Sequence, residues 1–268
     1  MNIRTNDGLD LYVQDLGRGA RETLVFCGSA NISSDIWNLT IPAFVAAGYR
    51  CVTYDRRGHG RSSRTTDGFD LDTLVSDLET VCAKREVETM SIVAHSLGGA
   101  EAIRFAAMHG AKRVKKLVSI AATAPYMQQT PDNPEGVPRE LIEATRTAWK
   151  TDFPQWVLDN AEPFFAKPVS AGQMRWLTGL MVTHPGYVAH ALAETIATTD
   201  LRPDLAKLDM PTLFLHGDLD VSVPVAFGKR AAALAPKSTL KIYEKRAHGV
   251  FLTDVDEVNA DVLRFLRE

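Results

Sequence analysis

The run Met90–Ala100 joins an apolar, strand-like segment to a helix-like one through a serine set between very small residues. Ala94 precedes Ser96 by two positions and Gly98 follows it by two, so the pentapeptide reads A-x-S-x-G. A sharp strand–turn–helix junction of this kind holds a serine hydroxyl out as a nucleophile. Such a junction needs small residues on either side of the serine, because the tight turn brings the backbones of Ala94 and Gly98 together. A helix N-cap is the alternative role for this serine.

Apolar segments alternate with helix-like ones along most of the chain. This alternation favours a largely parallel sheet that is covered by helices on both faces. With 268 residues, of which 45% are hydrophobic, the chain can bury a large core as one α/β domain. The predicted strands span 9–16, 23–28, 50–55, 89–95, 114–120, 212–217 and 239–243.

The segment 125–208 interrupts this alternation. It opens with the proline-rich stretch 130–138 and shows no strand pattern. We therefore expect a helical cap at 125–208 on a core formed by 1–124 and 209–268. The cap's aromatic side chains either pack a small core of its own or line an apolar substrate pocket. The helical patterns cover 138–150, 152–163, 170–183 and 185–198, and the aromatic residues are Trp149, Phe153, Trp156, Phe164, Phe165 and Trp176.

A serine nucleophile needs a base, and the base needs an acid that orients it. In folds of this kind these residues follow in the order Ser, Asp or Glu, then His. Asp218 and Asp220 come just after the strand 212–217, where a carboxylate faces the same crevice as the serine. Asp220 is favoured because of its distance from Pro224, which opens the next helix. His248 lies on a loop before the last helix and is the candidate base.

Other histidines lie near these segments. His95 directly precedes the serine, but neighbours at a sharp turn diverge, so its side chain is a poor candidate for the base. His59 lies in a glycine-rich loop and is interpreted as a turn residue. His216 ends a strand, and we expect it to pack near the turn that carries the acid.

An anionic intermediate also needs hydrogen-bond donors. Leu97 opens the helix after the serine, so its backbone N–H is expected to point at the developing oxyanion. The second donor is expected from the loop after the strand 23–28, with the N–H of Ser29 as the candidate. An ordinary strand-to-loop turn is the alternative interpretation of that loop.

Together these motifs resemble the α/β-hydrolase superfamily, and within it the cofactor-free haloperoxidases, perhydrolases and aryl esterases. The resemblance runs from about residue 9 to the C-terminus. It implies a mostly parallel α/β-hydrolase sheet with helices on both faces and a helical cap inserted after the sixth strand. It also implies a serine hydrolase without cofactor or metal, whose nucleophile, acid and base are Ser96, Asp220 and His248. The motifs are 28–29, 54–62, 94–99, 160–165, 216–220 and 247–249.

Two positions depart from that group's usual pattern. The group has His-Gly-aromatic-Pro where this chain reads Cys27–Ala30, and a methionine where it has Leu97. The loop proline is associated with peracid chemistry, so Ala30 at that position counts against a perhydrolase. The absent aromatic changes the expected wall of the pocket.

Composition excludes several other classes of function. The net charge is −3 and no basic stripe occurs, so we expect no nucleic-acid partner. No long apolar run or signal-peptide pattern is present, which favours a cytoplasmic protein without a membrane partner. Cys27, Cys51 and Cys82 lie in apolar segments without metal-ligand spacing and are expected to be buried free thiols.

The sequence thus predicts hydrolysis of a small-molecule substrate, a carboxylic ester or lactone, through an acyl-enzyme. The alternatives are peracid formation with hydrogen peroxide in place of water, hydrolysis of a carbon–carbon bond, and ligand sensing by a hydrolase-like pocket. Nothing in the sequence indicates an oligomeric state.

Overall fold

A single sheet forms the centre of the fold. The computed structural model describes residues 1–18 and 21–268, and within these residues eight strands pair in one sheet. The strands are β1 (Asn2–Arg4), β2 (Asp10–Leu16), β3 (Thr23–Cys27), β4 (Arg50–Tyr54), β5 (Met90–His95), β6 (Val114–Ile120), β7 (Thr212–Gly217) and β8 (Ser238–Tyr243). Their spatial order is β1-β2-β4-β3-β5-β6-β7-β8. The β1–β2 and β2–β4 pairs are antiparallel, and all later pairs are parallel.

The predicted strands agree with the observed ones to within one residue at each end. β1, which the sequence pattern does not predict, is three residues long and pairs with β2. With β1 included, the strand that precedes the long helical insertion is the sixth. The predicted α/β class with a mostly parallel sheet is confirmed.

Helices cover both faces of the sheet. Val25 and Cys27 of β3 join one hydrophobic cluster, whereas Leu24 and Phe26 join the other, because successive strand residues point to opposite faces. The first cluster includes α2 and α3, and the second includes α1 and α10. The helices are α1 (Ile41–Ala46), α2 (Leu71–Lys84), α3 (Leu97–Arg113), α4 (Arg139–Phe165), α5 (Ala171–Met181), α6 (Gly186–Thr198), α7 (Arg202–Leu205), α8 (Val225–Leu234), α9 (Val250–Thr253) and α10 (Val255–Arg267).

The insertion between β6 and β7 is helical, with α4 to α7. α4 covers two of the predicted helices, and its backbone leaves the helical conformation at Asp152 (φ −151°, ψ 77°), where the sequence pattern breaks. The division into a core and a cap at 125–208 stays a prediction. Within the described ranges, no helix is both long and apolar enough to cross a membrane.

Candidate active site

Ser96 occupies the turn between β5 and α3 in a strained backbone conformation (φ 57°, ψ −121°). Such a conformation costs about 1–3 kcal/mol for a residue with a side chain and must be held by its surroundings. The Ser96 N–H donates to Ile120 O at 3.0 Å, and its carbonyl accepts from the N–H groups of Gly99 (2.9 Å) and Thr123 (3.2 Å). The hydroxyl caps no N–H of the described α3 helix. The backbone of this turn is therefore fixed, while the hydroxyl makes no capping hydrogen bond among the described residues.

Gly98 is required by the backbone at the end of β3. A Cβ at this position would collide with the backbone of Cys27 and Gly28, with Gly28 O at 2.6 Å. The close approach is thus between α3 and the end of β3. It brings the loop after β3 against the first turn of α3.

The structure brings Asp220 to His248. The carboxylate Oδ2 lies 2.8 Å from His248 Nδ1. The other oxygen, Oδ1, accepts from the backbone N–H groups of Ser222 and Val223, each at 2.8 Å. Asp218 is exposed, and its carboxylate accepts from the N–H of Arg246 at 3.3 Å. Of the two aspartates, Asp220 is therefore the one that can orient the imidazole.

Electrostatics keep this acid ionised. Burial would raise the pKa of Asp220, but the neighbouring His248, hydrogen bonds from His216 and His248, and the Val223 N–H together hold it well below its usual value of 3.8. A carboxylate only accepts hydrogen bonds, so His248 donates its Nδ1–H to it. The Nε2 of the neutral imidazole is then left as an acceptor, which is the state that a general base needs.

His95 links the elements that carry these groups. Its Nε2 lies 2.9 Å from the backbone carbonyl of His248, and its Nδ1 contacts the Ser29 hydroxyl. The carbonyl accepts only, so Nε2 carries the proton and Nδ1 accepts from Ser29. Burial lowers the pKa of His95 well below 6.5, which keeps this ring neutral. Both nitrogens are engaged, so His95 bridges the two loops rather than serving as a base.

This bridge ties the segment that carries Ser96 to the loop that carries His248. The rings of His95 and His248 are 4.5 Å apart between centroids, and Ser96 is the next residue along the chain. Within the described residues, no hydrogen bond joins Ser96 Oγ to His248 Nε2. Such bonds are often long in unliganded enzymes and shorten when substrate binds.

The two candidate oxyanion donors lie at the same edge of the sheet. Cys27 of β3 pairs with Ala94 of β5, so Ser29 and Ser96 are each two residues beyond a paired position. The N–H of Leu97, the first residue of α3, has no partner within its own helix. The N–H of Ser29 donates to no backbone acceptor in the described ranges. Both groups are thus available, and their role as oxyanion donors stays a prediction.

His59 lies in a turn, as the sequence predicts, since its N–H donates to Arg56 O at 3.0 Å and its carbonyl accepts from the Ser62 N–H at 3.0 Å, and its side chain is fully buried. Its Nδ1 lies 2.8 Å from Arg57 O, and its ring stacks on His184 with centroids 4.6 Å apart. His216 packs at the acid turn as expected, with Nε2 2.7 Å from Val223 O and 3.4 Å from Asp220 Oδ2.

Phe164, at the end of α4, is the aromatic residue of the insertion that contacts the candidate base. Its ring centroid lies 5.5 Å from that of His248, and its carbonyl accepts from the Gly249 N–H at 2.8 Å. Trp149, Phe153 and Trp156 instead pack on one another, with centroids 5.0–6.3 Å apart. The helical insertion therefore reaches the site through Phe164.

The three cysteines are free and buried, as the sequence predicts, and burial raises the pKa of Cys51 and Cys82 to about 12. Within the described residues, no three His, Cys, Asp or Glu side chains are grouped as a metal site.

Comparison with known families agrees with this arrangement. Residues 22–255 match the family model described as alpha/beta hydrolase fold. The chain belongs to the α/β-hydrolase family. This α/β-hydrolase is 37% identical to a non-heme haloperoxidase from Rhodococcus erythropolis, over 98% of each chain. It is 35% identical to the non-heme chloroperoxidase CPO-A1 from Kitasatospora aureofaciens, again over 98% of each. Among solved structures, an esterase from Exiguobacterium antarcticum superposes with a TM-score of 0.95 at 26% identity, covering 100% of this chain and 99% of the other.

Proposed function

We propose that this α/β-hydrolase is a serine hydrolase that cleaves a small carboxylic ester or lactone through an acyl-enzyme. The observation that carries the proposal is the 2.8 Å contact between Asp220 Oδ2 and His248 Nδ1, and it is supported by the strained turn that holds Ser96. Without that contact, the imidazole would have no fixed tautomer with which to deprotonate the serine.

In the acylation step, Ser96 Oγ attacks the ester carbonyl while His248 Nε2 takes its proton. The carbonyl oxygen becomes an oxyanion and is held by the N–H groups of Ser29 and Leu97. When the tetrahedral intermediate collapses, the bond to the leaving oxygen breaks, and His248 returns the proton to that oxygen. The products are a free alcohol and an acyl group on Ser96; in a lactone the two stay joined in one molecule.

In the deacylation step, water takes the place of the alcohol. His248 removes a proton from the water as it attacks the acyl carbonyl, and Ser96 leaves with that proton. Asp220 stabilises the imidazolium that forms in both steps and does not itself become protonated. The similarity to a named esterase supports this hydrolytic reaction.

Perhydrolysis is the second candidate, because two relatives with 35–37% identity are named as peroxidases. Hydrogen peroxide would then attack the acyl-enzyme in place of water and release a peracid, which could oxidise a halide. The same three side chains serve both reactions. Ala30 stands where the related group has proline, and this favours water as the acceptor.

The test is labelling by a fluorophosphonate, followed by a panel of esters and lactones of graded size. Ser96→Ala should lose both the label and p-nitrophenyl acetate turnover. Ser119→Ala is a matched control, since Ser119 is buried on the neighbouring strand β6 and its hydroxyl has no partner among the described residues. Turnover retained by Ser96→Ala would reject the proposal. A peracid yield in peroxide that exceeds the loss of ester to water would establish the second candidate instead.

A further inference from the structure

A buried ion pair contacts the loop of Gly28 and Ser29, which carries one of the predicted oxyanion donors. Arg56, on the loop after β4, is 4% exposed, and Glu101 of α3 is fully buried. Arg56 Nε donates to Glu101 Oε1 at 2.5 Å, and the hydroxyl of Tyr54 donates to Glu101 Oε2 at 3.0 Å. Burial opposes the charge of Arg56, but Glu101 outweighs this and raises the arginine's pKa. The guanidinium is therefore a permanent cation at this position.

The remaining nitrogens of Arg56 bind two consecutive backbone carbonyls. Nη2 donates to Gly28 O and Nη1 donates to Ser29 O, each at 2.8 Å. The Gly28 carbonyl and the Ser29 N–H belong to the same planar peptide group. In a trans peptide they point in opposite directions. A cation that fixes the carbonyl on one side therefore fixes the direction of the N–H on the other.

We propose that Arg56, held by Glu101, is a positioning residue that aims and strengthens the Ser29 N–H as an oxyanion donor. This inference rests on the proposed serine hydrolase mechanism. Hydrogen bonding at a peptide oxygen polarises the whole amide and makes its N–H a better donor. A donor that is already oriented needs no reorganisation when the negative charge develops, and that is the condition under which such donors are most effective.

Glu101 connects Arg56 to the helix that carries the second candidate donor, the N–H of Leu97. It lies one turn after Leu97, the first residue of α3. The chain of contacts thus runs from α3 through Glu101 and Arg56 to the Ser29 peptide. It fixes the loop that carries one N–H relative to the helix that carries the other. Two donors need a fixed separation to hold a single oxygen atom. The Arg56–Glu101 ion pair therefore fixes the distance between the N–H groups of Ser29 and Leu97.

Arg57 provides a matched control. It is also buried and paired to a buried carboxylate, with Nε 2.7 Å from Asp77 Oδ2, and it reaches Asp7 at 2.9 Å. Its side-chain contacts within the described residues lie away from the loop of Gly28 and Ser29. Arg56→Lys and Arg57→Lys therefore make the same chemical change in consecutive buried arginines. A lysine keeps the charge but loses the planar fork that reaches both carbonyls.

The measurement is kcat/KM for an oxoester and for the matching thionoester, whose carbonyl sulfur is a weak hydrogen-bond acceptor. In Arg56→Lys, we expect the oxoester value to fall about 10- to 100-fold, part of the effect of losing a whole donor. The thionoester value should fall much less, so the ratio of the two values collapses. Arg57→Lys should lower the thermal midpoint while leaving the ratio unchanged.

Glu101→Gln keeps the proposal testable if Arg56→Lys does not fold. It leaves Arg56 in place but loosens its anchor, so the ratio should fall in the same direction by a smaller factor. An unchanged ratio in a folded Arg56→Lys or Glu101→Gln protein would overturn the positioning role, and so would an equal fall in Arg57→Lys. Ser96→Ala separates the two failures, because turnover retained there rejects the hydrolase mechanism itself.

Discussion

Replacing Asp220 by asparagine tests the proposed mechanism at one pair of atoms. Asp220 Oδ1 accepts two backbone N–H groups, from Ser222 and Val223, and Oδ2 faces His248 Nδ1. An asparagine keeps the turn only if its carbonyl oxygen takes the Oδ1 position. Its NH₂ group then faces the imidazole and donates to Nδ1. The imidazole must carry its proton on Nε2, where it can no longer accept one from Ser96.

The opposite orientation of the amide is disfavoured by the same two backbone groups. Turning the amide would place its NH₂ against the N–H groups of Ser222 and Val223. Val223 is buried, and leaving its N–H unsatisfied costs about 1–3 kcal/mol. The unproductive tautomer is therefore the stable one. We expect Asp220→Asn to lower kcat about 10⁴-fold, as in serine proteases with this change. This equals about 5 kcal/mol of transition-state stabilisation.

The assay is p-nitrophenyl acetate hydrolysis, with circular dichroism to show that the fold is retained. Asp218→Asn is the control, because that carboxylate is exposed and accepts one long backbone hydrogen bond at 3.3 Å. Its kcat should stay within a few-fold of the wild type. A larger loss in Asp218→Asn than in Asp220→Asn would refute the assignment of the acid, and a mild effect of both would refute the role of the carboxylate.

Two further predictions concern stability. Gly98→Ala places a Cβ against Gly28 O, so the free energy of unfolding in urea should fall by about 1–3 kcal/mol. Gly179→Ala, in α5 with no described atom within 4 Å of the new Cβ, should instead raise it by up to about 1 kcal/mol; equal effects would contradict the close contact. Burial lowers the pKa of His184 to about 3, below the value of about 6.5 expected in the unfolded chain. The unfolded chain therefore takes up the proton first, and the wild type should lose about 2 kcal/mol more than His184→Phe between pH 6.5 and pH 5. Parallel pH curves of unfolding free energy would show that His184 does not carry this linkage.

The sheet could be predicted from the sequence because its central strands are buried on both sides. β5 and β7 are fully buried along their length and therefore read as continuous apolar runs. β1 shows no such run, since it has three residues and one buried side chain. Its place in the sheet depends on pairing with β2, which a local pattern does not reveal.

The sequence pattern favours Asp220 over Asp218 as the candidate acid, and the structure shows a different physical basis for the placement of Asp220. In the sequence, the distance of Asp220 from Pro224, which opens the next helix, favours it. In the structure, Asp220 is placed by its own side chain. Its carboxylate accepts hydrogen bonds from the N–H groups of Ser222 and Val223, the two residues that directly precede Pro224. Aspartates commonly stabilise turns in this way. Here the same carboxylate both forms the turn and faces the histidine.

The bridging and positioning residues could not be predicted from local pattern. His95 contacts Ser29 and the His248 carbonyl, which are 66 and 153 residues away along the chain. Arg56 and Glu101 are 45 residues apart. A signal for the second pair does exist in the sequence: Glu101 follows Gly98, Gly99 and Ala100 on a helix whose small residues indicate close packing. A carboxylate on such a face requires a buried cation.

Strand order alone does not bring the candidate base to the serine. β8 lies three positions from β5 in the sheet, and at about 4.8 Å per strand this separation is about 14 Å. The loop after Tyr243 must therefore turn back across the ends of β7 and β6. It is held there by the contact of His95 Nε2 with the carbonyl of His248 and by the Gly249 N–H, which donates to Phe164. These two hydrogen bonds fix the backbone of His248 and Gly249. The path of this loop, and not the position of β8 in the sheet, therefore determines whether the His248 side chain can contact Ser96.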